Sequence, residues 1–309
     1  MEPGKVAIVG SGIIGLSWAV VFARAGHRVS VYERPAMRSS TVQDRVLQLA
    51  TTSAVMGGPE PAGIAARIET HFELAKTCIG AIHVQESISE NVDQKRKLFA
   101  ELDGLVSPNA LIASSTSGIP VSSIASGLAG MHRCLVAHPA TPPHLLPVVE
   151  IVPATFTSPQ SVERAFRLMK DAGMKPVLIR KERPGFVLNR LQIALLKEMF
   201  RAISQGLISP EDADSLIRDG FGLRWAFLGP LEGIDLNAPG GIADYLDRYK
   251  ALFDSAHNGV DDTQNVLAPE LLQILSTDLR ARFPLSMHPQ RIAARDARIA
   301  KLRALRDCS

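Results

Sequence analysis

The strongest constraint on the fold lies at the N-terminus: Lys5-Val-Ala-Ile-Val9, then Gly10-Ser-Gly12-Ile-Ile-Gly15, then Leu16 to Ala25. The first run is short, apolar and β-branched, as suits a buried parallel strand. The glycines follow without a spacer, and the next stretch reads as a helix ended by Gly26. A second strand, His27-Arg-Val-Ser-Val-Tyr32, carries Glu33 at its C-terminal end. Strand, glycine turn, helix, strand and acid form the order of a dinucleotide-binding unit. Gly10 makes the turn out of the strand, Gly12 lets backbone approach a pyrophosphate, and Gly15 lets helix and strand pack closely. The amides at the helix start, Ile13 and Ile14 among them, are suited to phosphate oxygens. Glu33 stands 18 residues past Gly15, where a carboxylate accepts from adenosine ribose hydroxyls and repels a 2′-phosphate. These residues predict NAD as cofactor, and Arg34 next door leaves NADP use open.

The alternation continues. Ala81 to Glu86 reads as a strand, Val92 to Val106 as an amphipathic helix, and Ala110 to Ala113, Cys134 to Ala137 and Val148 to Val152 as further strands. Ser158 to Ala172 is helical, with Ser158 as N-cap and Gly173 as stop, before a last strand at Lys175 to Ile179. After Arg183-Pro184-Gly185 the texture becomes helical throughout, with proline-bearing loops. The expected architecture is an α/β, Rossmann-type dinucleotide-binding domain over 1–184 and an all-helical domain over 185–309.

Composition sets limits. With 46% hydrophobic and 21% charged residues the chain is neither disordered nor fibrous. A net charge of +3 is too small to predict nucleic-acid binding. Arginines crowd toward the C-terminus, but Asp278, Asp296 and Asp307 are interspersed, which predicts a solvated helix face. Cys78, Cys134 and Cys308 include no CxxC pair, so neither a disulfide framework nor a structural metal site is expected. The opening Met1-Glu2-Pro3-Gly4-Lys5 lacks a basic region before an apolar one, and no stretch reads as a membrane span. A cytoplasmic protein is expected.

A nicotinamide dehydrogenase acting on an alcohol needs a group to take the hydroxyl proton, and histidine suits that task. Of eight histidines, His138 stands at the end of a predicted strand, where ligands bind in open α/β sheets. Glu150 lies twelve residues on, inside an apolar strand, and needs a partner there. Spacing alone allows either His138 or a buried arginine to fill that place.

Several motifs in order resemble the 3-hydroxyacyl-CoA dehydrogenase superfamily, in its λ-crystallin / L-gulonate 3-dehydrogenase branch. They are the glycine turn, Gln85-Glu86 to Glu90-Asn91 with Lys95, Ser114-Ser-Thr-Ser117, and His138-Pro-Ala-Thr-Pro-Pro143. Val149-Glu-Ile-Val-Pro153, Gly185-Phe-Val-Leu-Asn-Arg190, Gly222-Leu-Arg-Trp-Ala-Phe-Leu-Gly-Pro230 and His288-Pro-Gln-Arg-Ile-Ala-Ala-Arg295 continue the likeness over nearly the whole chain. The resemblance implies His138 as catalytic base with Glu150 as its carboxylate partner, Ser117 on the substrate oxygen, and Asn189 between substrate and nicotinamide. It places Glu90 and Lys95 beside the cofactor ribose and nicotinamide. Gly118, Ala140 and Val148 stand where residues vary in this branch, which leaves the pocket shape open. In 6-phosphogluconate-type relatives a lysine precedes the asparagine by four; here that position is Gly185.

The activity so implied is NAD-dependent oxidation of the C3 hydroxyl of a free, polar 3-hydroxy acid, with L-gulonate as leading substrate. A 3-hydroxyacyl-CoA or L-carnitine dehydrogenase is the alternative, and a crystallin-like structural nucleotide-binding protein the non-enzymatic one. Arg190 and Arg224, inside the resembling motifs, are candidate anchors for the substrate carboxylate. The apolar runs at Ile193, Leu195, Leu196 and Met199 and at Leu271, Leu272, Ile274 and Leu275 exceed what one small domain covers, which predicts a homodimer through the helical domain.

Overall fold

The computed structural model describes residues 3–34, 41–257 and 269–307. Eight strands form one sheet: β1 (Lys5–Val9), β2 (Arg28–Tyr32), β3 (Ile68–His71), β4 (Ala81–Glu86), β5 (Leu111–Ser114), β6 (Cys134–Pro139), β7 (Val148–Pro153) and β8 (Lys175–Leu178). Their spatial order is β3-β2-β1-β4-β5-β6-β7-β8. This contains the doubly wound order of a dinucleotide-binding domain, with strands added at one edge. Neighbours run parallel except β6 and β7, which are antiparallel. Residues 140–147 are too few for a crossover helix, so the chain returns alongside itself.

Strand β1 is buried on both faces. Val6 and Ile8 join one apolar cluster, with Leu16, Val20 and Val21 of the helix Ile13–Arg24. Ala7 and Val9 join the other, with Phe99 and Leu102 of the helix Val92–Leu105. The period-two alternation of a strand sends neighbouring side chains to opposite layers, so a continuous apolar run is what a central parallel strand requires. The helix Pro159–Asp171 is capped by Ser158, whose hydroxyl accepts from Ser161 N.

The chain forms two compact units, Met1–Leu191 with Ala293–Ser309, and Gln192–Ile292. Texture in the sequence changes at residue 184, whereas compactness divides the chain inside the helix Leu188–Ser204 and returns the last residues to the first unit. One reason for the return is Arg303. It donates to the carbonyls of Leu145 (2.8 Å) and Gly173 (3.3 Å), so this arginine departs from the solvated face expected of the C-terminal run. Arg282 and Arg295 do pair with acids in that run, Asp278 and Asp296. The side chain of Asp307 lies outside the described residues.

In the second unit the regular elements among the described residues are all helical. Ile203, Ala213 and Leu271 form a small core, with Met199, Phe200, Ile208 and Leu275 partly packed on it. Ile193 and Ile274 are exposed, and Leu195 and Leu196 half-buried. The side chain of Leu272 lies outside the described residues.

Cys78 and Cys134 are free and buried, and burial pushes both thiols up to about 12. Cys308 lies outside the described residues. Among the described residues no helix is long and apolar enough to cross a membrane, and no cluster of His, Cys, Asp and Glu is arranged to hold a metal.

Candidate active site

The glycine turn joins β1 to the helix Ile13–Arg24. Gly10 has φ +117°, and a Cβ on it would stand 2.5 Å from the carbonyl oxygen of Ser87. A Cβ on Gly15 would run into the carbonyl of Gly10, whereas one on Gly12 would meet nothing within 4 Å. Two glycines are therefore required by packing within the chain, and Gly12 faces open space. Helix Ile13–Arg24 opens with no side-chain cap, leaving the first-turn amides, including those of Ile13 and Ile14, to an outside acceptor.

At the end of β2, Glu33 is 3% exposed. Its Oε1 lies 3.4 Å from Ser11 Oγ, and its buried Oε2 has no partner. A buried carboxylate oxygen without a donor is costly unless a ligand supplies one. Open space over Gly12, uncapped amides and the orphaned oxygen of Glu33 together fit the pyrophosphate and ribose of a dinucleotide. Arg45, which sequence reasoning missed, donates to Ser11 O at 3.2 Å and ties the helix Thr41–Ala54 to this turn.

His138 and Glu150 lie in register across β6 and β7, and His138 Nδ1 is 2.8 Å from Glu150 Oε2. Both are buried, so of the two partners open to Glu150 the structure selects histidine. The other oxygen, Oε1, accepts the backbone amides of Val187 and Leu188, each at 2.9 Å. Burial pushes the Glu150 carboxyl up. The hydrogen bonds from His138 and from the Leu188 and Val187 amides, with the charge of His138, outweigh burial and hold it below the usual carboxylate value. A carboxylate only accepts, so Nδ1 carries the ring proton. Whenever the ring is neutral, Nε2 of His138 therefore bears the lone pair, and it has no partner among the described residues.

Phe186 makes this arrangement and was not singled out from sequence. It has φ +49°, follows Gly185 at φ +75°, and packs its buried ring 5.7 Å from the His138 ring. A left-handed residue with a large side chain costs roughly 1–2 kcal/mol. Here it turns the chain so that the next two amides meet Glu150.

Asn189 follows at once, and its Nδ2 donates to Ser117 O at 2.7 Å. The amide of Ser117 donates to Glu90 Oε1 at 3.0 Å, and Thr116 Oγ1 donates to the same oxygen at 2.6 Å. Glu90 Oε2 lies 3.4 Å from Lys95 Nζ. The path from His138 to Glu150, from Glu150 to the Val187 and Leu188 amides next to Asn189, and from Asn189 through Ser117 and Glu90 to Lys95 lies wholly within the first unit. Arg190 and Arg224 are exposed and make no ion pair among the described residues. Arg190 adjoins Asn189 in sequence, and Arg224 lies on the helix Gly222–Trp225 of the second unit.

Residues 5–183 match the 3-hydroxyacyl-CoA dehydrogenase NAD binding domain, and residues 185–266 match the C-terminal domain of the same family. Lambda-crystallin of Oryctolagus cuniculus is 41% identical over 250 residues, covering 80% of this chain and 78% of that protein. L-carnitine dehydrogenase of Streptomyces griseus is 35% identical over 246 residues, covering 79% and 73%. The crystal structure of 5-formyl-3-hydroxy-2-methylpyridine 4-carboxylic acid 5-dehydrogenase, an NAD+-dependent dismutase, superposes with a TM-score of 0.83 at 27% identity, over 99% of this chain and 98% of that one. With a glycine turn shaped for a dinucleotide and both family domains matched in order, the chain belongs to the 3-hydroxyacyl-CoA dehydrogenase family and is an NAD-dependent oxidoreductase acting on CH–OH groups.

Proposed function

We propose that this enzyme oxidises the C3 hydroxyl of a free 3-hydroxy acid, L-gulonate to 3-dehydro-L-gulonate, with His138 as general base. The observation that carries the reading is the His138–Glu150 pair, which leaves Nε2 as the open, lone-pair-bearing nitrogen. NAD, when bound, accepts the hydride released from C3. His138 takes the hydroxyl proton on Nε2, and Glu150 stabilises the imidazolium that results. Ser117 and Asn189, joined by their own hydrogen bond, hold the substrate oxygen. Glu33 takes the ribose hydroxyls, the amides after Gly12 the pyrophosphate, and Glu90 and Lys95 the nicotinamide side. Arg190, next to Asn189 in the chain, anchors the substrate carboxylate, as bidentate guanidinium pairing favours.

Two likenesses support a free acid over a thioester. The 41% identical relative is a lambda-crystallin, in line with the branch that the sequence motifs resemble. The structural neighbour is named for a carboxylic acid substrate. A homodimer through the helical unit follows from its exposed Ile193, Leu223, Phe227 and Leu252, which a second copy would cover. Free buried thiols suit a reducing, cytoplasmic setting. The test is NADH formation with L-gulonate, L-carnitine, 3-hydroxybutyrate and 3-hydroxybutyryl-CoA, with NADP in parallel. Preference for L-gulonate with NAD is the expected result. Preference for carnitine or the thioester would overturn the substrate assignment and keep the base.

A further inference from the structure

Glu86 closes β4, and its side chain is 0% exposed. Its Oε1 accepts from Lys95 Nζ at 2.7 Å and from Ile88 N at 2.7 Å, and its Oε2 accepts from Ser114 Oγ at 2.5 Å. The carboxylate thus ties together the end of β4, the loop that follows, the helix Val92–Leu105 and the end of β5. Lys95, 1% exposed, has two carboxylates within reach: buried Glu86 and, at 3.4 Å, Glu90, which is 47% exposed. Only the Glu90 end of this set meets solvent, and there it holds Thr116 Oγ1 and the amide of Ser117.

A buried ion pair is weak support for stability, since apolar residues of similar volume commonly replace one without loss. What apolar residues cannot do is fix an ammonium at a set point in front of a second carboxylate. We propose that Glu86 is a positioning residue: it anchors Lys95, which then fixes Glu90 and, through Glu90, the Ser117 amide. This rests on the function proposed above, in which Lys95 and Glu90 serve the cofactor and Ser117 the substrate oxygen. Without the negative charge of Glu86, the ammonium is drawn toward Glu90, and that carboxylate leaves Thr116 and Ser117.

Glu86→Gln tests this with little change of shape. The amide oxygen can still accept from Lys95 and Ile88, and the amide nitrogen can donate to Ser114, whose hydroxyl is free to turn. NADH affinity, kcat and melting temperature are measured for Glu86→Gln, Lys95→Met and the double variant. Glu86→Gln weakens NADH binding and lowers kcat, each by about tenfold, while in the Lys95→Met background it adds less than about twofold, as expected of residues acting in one line. A merely structural Glu86 lowers the melting temperature and leaves NADH affinity and kcat within about twofold of wild type; that result overturns the proposal. A full additional loss in the Lys95→Met background also overturns it. If Glu86→Gln does not fold, Glu86→Asp, which withdraws the carboxylate from Lys95 by one methylene and so loosens the anchor, is put through the same cycle with the same outcomes expected. NADH binding needs no substrate, so failure of the hydroxy-acid assignment leaves this test standing.

Discussion

His138 and Glu150 are paired in register across the one antiparallel junction of the sheet, with Nδ1 and Oε2 2.8 Å apart, and the second oxygen of Glu150 holds the amides of Val187 and Leu188. One carboxylate thereby sets the tautomer of the His138 ring, the proposed base, and fixes the start of the segment that brings in Asn189.

Glu150→Gln separates these two duties. Gln keeps an oxygen for Val187 and Leu188 but turns an N–H toward Nδ1, so the ring proton moves to Nε2 and the lone pair faces the wrong way. A loss in kcat on the order of 10³-fold or more is expected, the class of effect that follows a wrong tautomer in a histidine base. NADH affinity, read by binding fluorescence, stays within a few-fold.

The same carboxyl makes stability depend on acid. Its value in the fold is below the ordinary 4.5. Its stabilisation is therefore present in full above the unfolded value and is lost as pH falls through the lower folded value. The difference in denaturation midpoint between wild type and Glu150→Gln should be largest near neutrality and shrink below about pH 4.

His83 acts in the same direction, at higher pH and from a different cause. It is buried, with Nε2 2.9 Å from Gln85 Oε1, and burial lowers it from 6.5 to about 4. Between those values the unfolded chain binds a proton that the fold refuses, so stability falls on acidification from 6.5 toward 4, by up to roughly 3 kcal/mol from this group. His83→Leu should be less stable near neutrality but show a flatter loss across that window in urea titrations.

Glu33→Ala should weaken NADH binding about tenfold, the scale of losing a charge-assisted hydrogen bond. It should also narrow the preference for NAD over NADP, since the carboxylate that repels a 2′-phosphate is gone. Titration calorimetry with both reduced cofactors checks it.

β1, the glycine turn and β2 are legible without a structure because they are local: their period and glycine chemistry are written in consecutive residues. His138 at a strand end was legible for the same reason. Its partner was legible only as one of two choices, because the antiparallel register that selects it depends on how residues 140–147 turn. The capture of Val187 and Leu188 by Glu150 spans 37 and 38 residues and rests on the positive φ of Phe186, which no pattern announces. Asn189 and Ser117 meet across 72 residues, and Arg303 reaches Leu145 across 158. Such contacts follow from packing of whole layers, not from any window of sequence. Glu86 stood in a quoted motif without a role, since its importance lies in four elements converging on one carboxylate.

The most direct test of the account is NAD reduction by wild type and His138→Gln with L-gulonate, alongside NADH binding by both proteins. Gln fills the same space without a base, so turnover should drop by at least ~10²–10⁴-fold while NADH affinity changes little. In wild type the oxidative rate should also rise with pH, since only a neutral imidazole takes the proton. Near wild-type turnover by His138→Gln, with NADH bound normally, would contradict the assignment of His138 as the base.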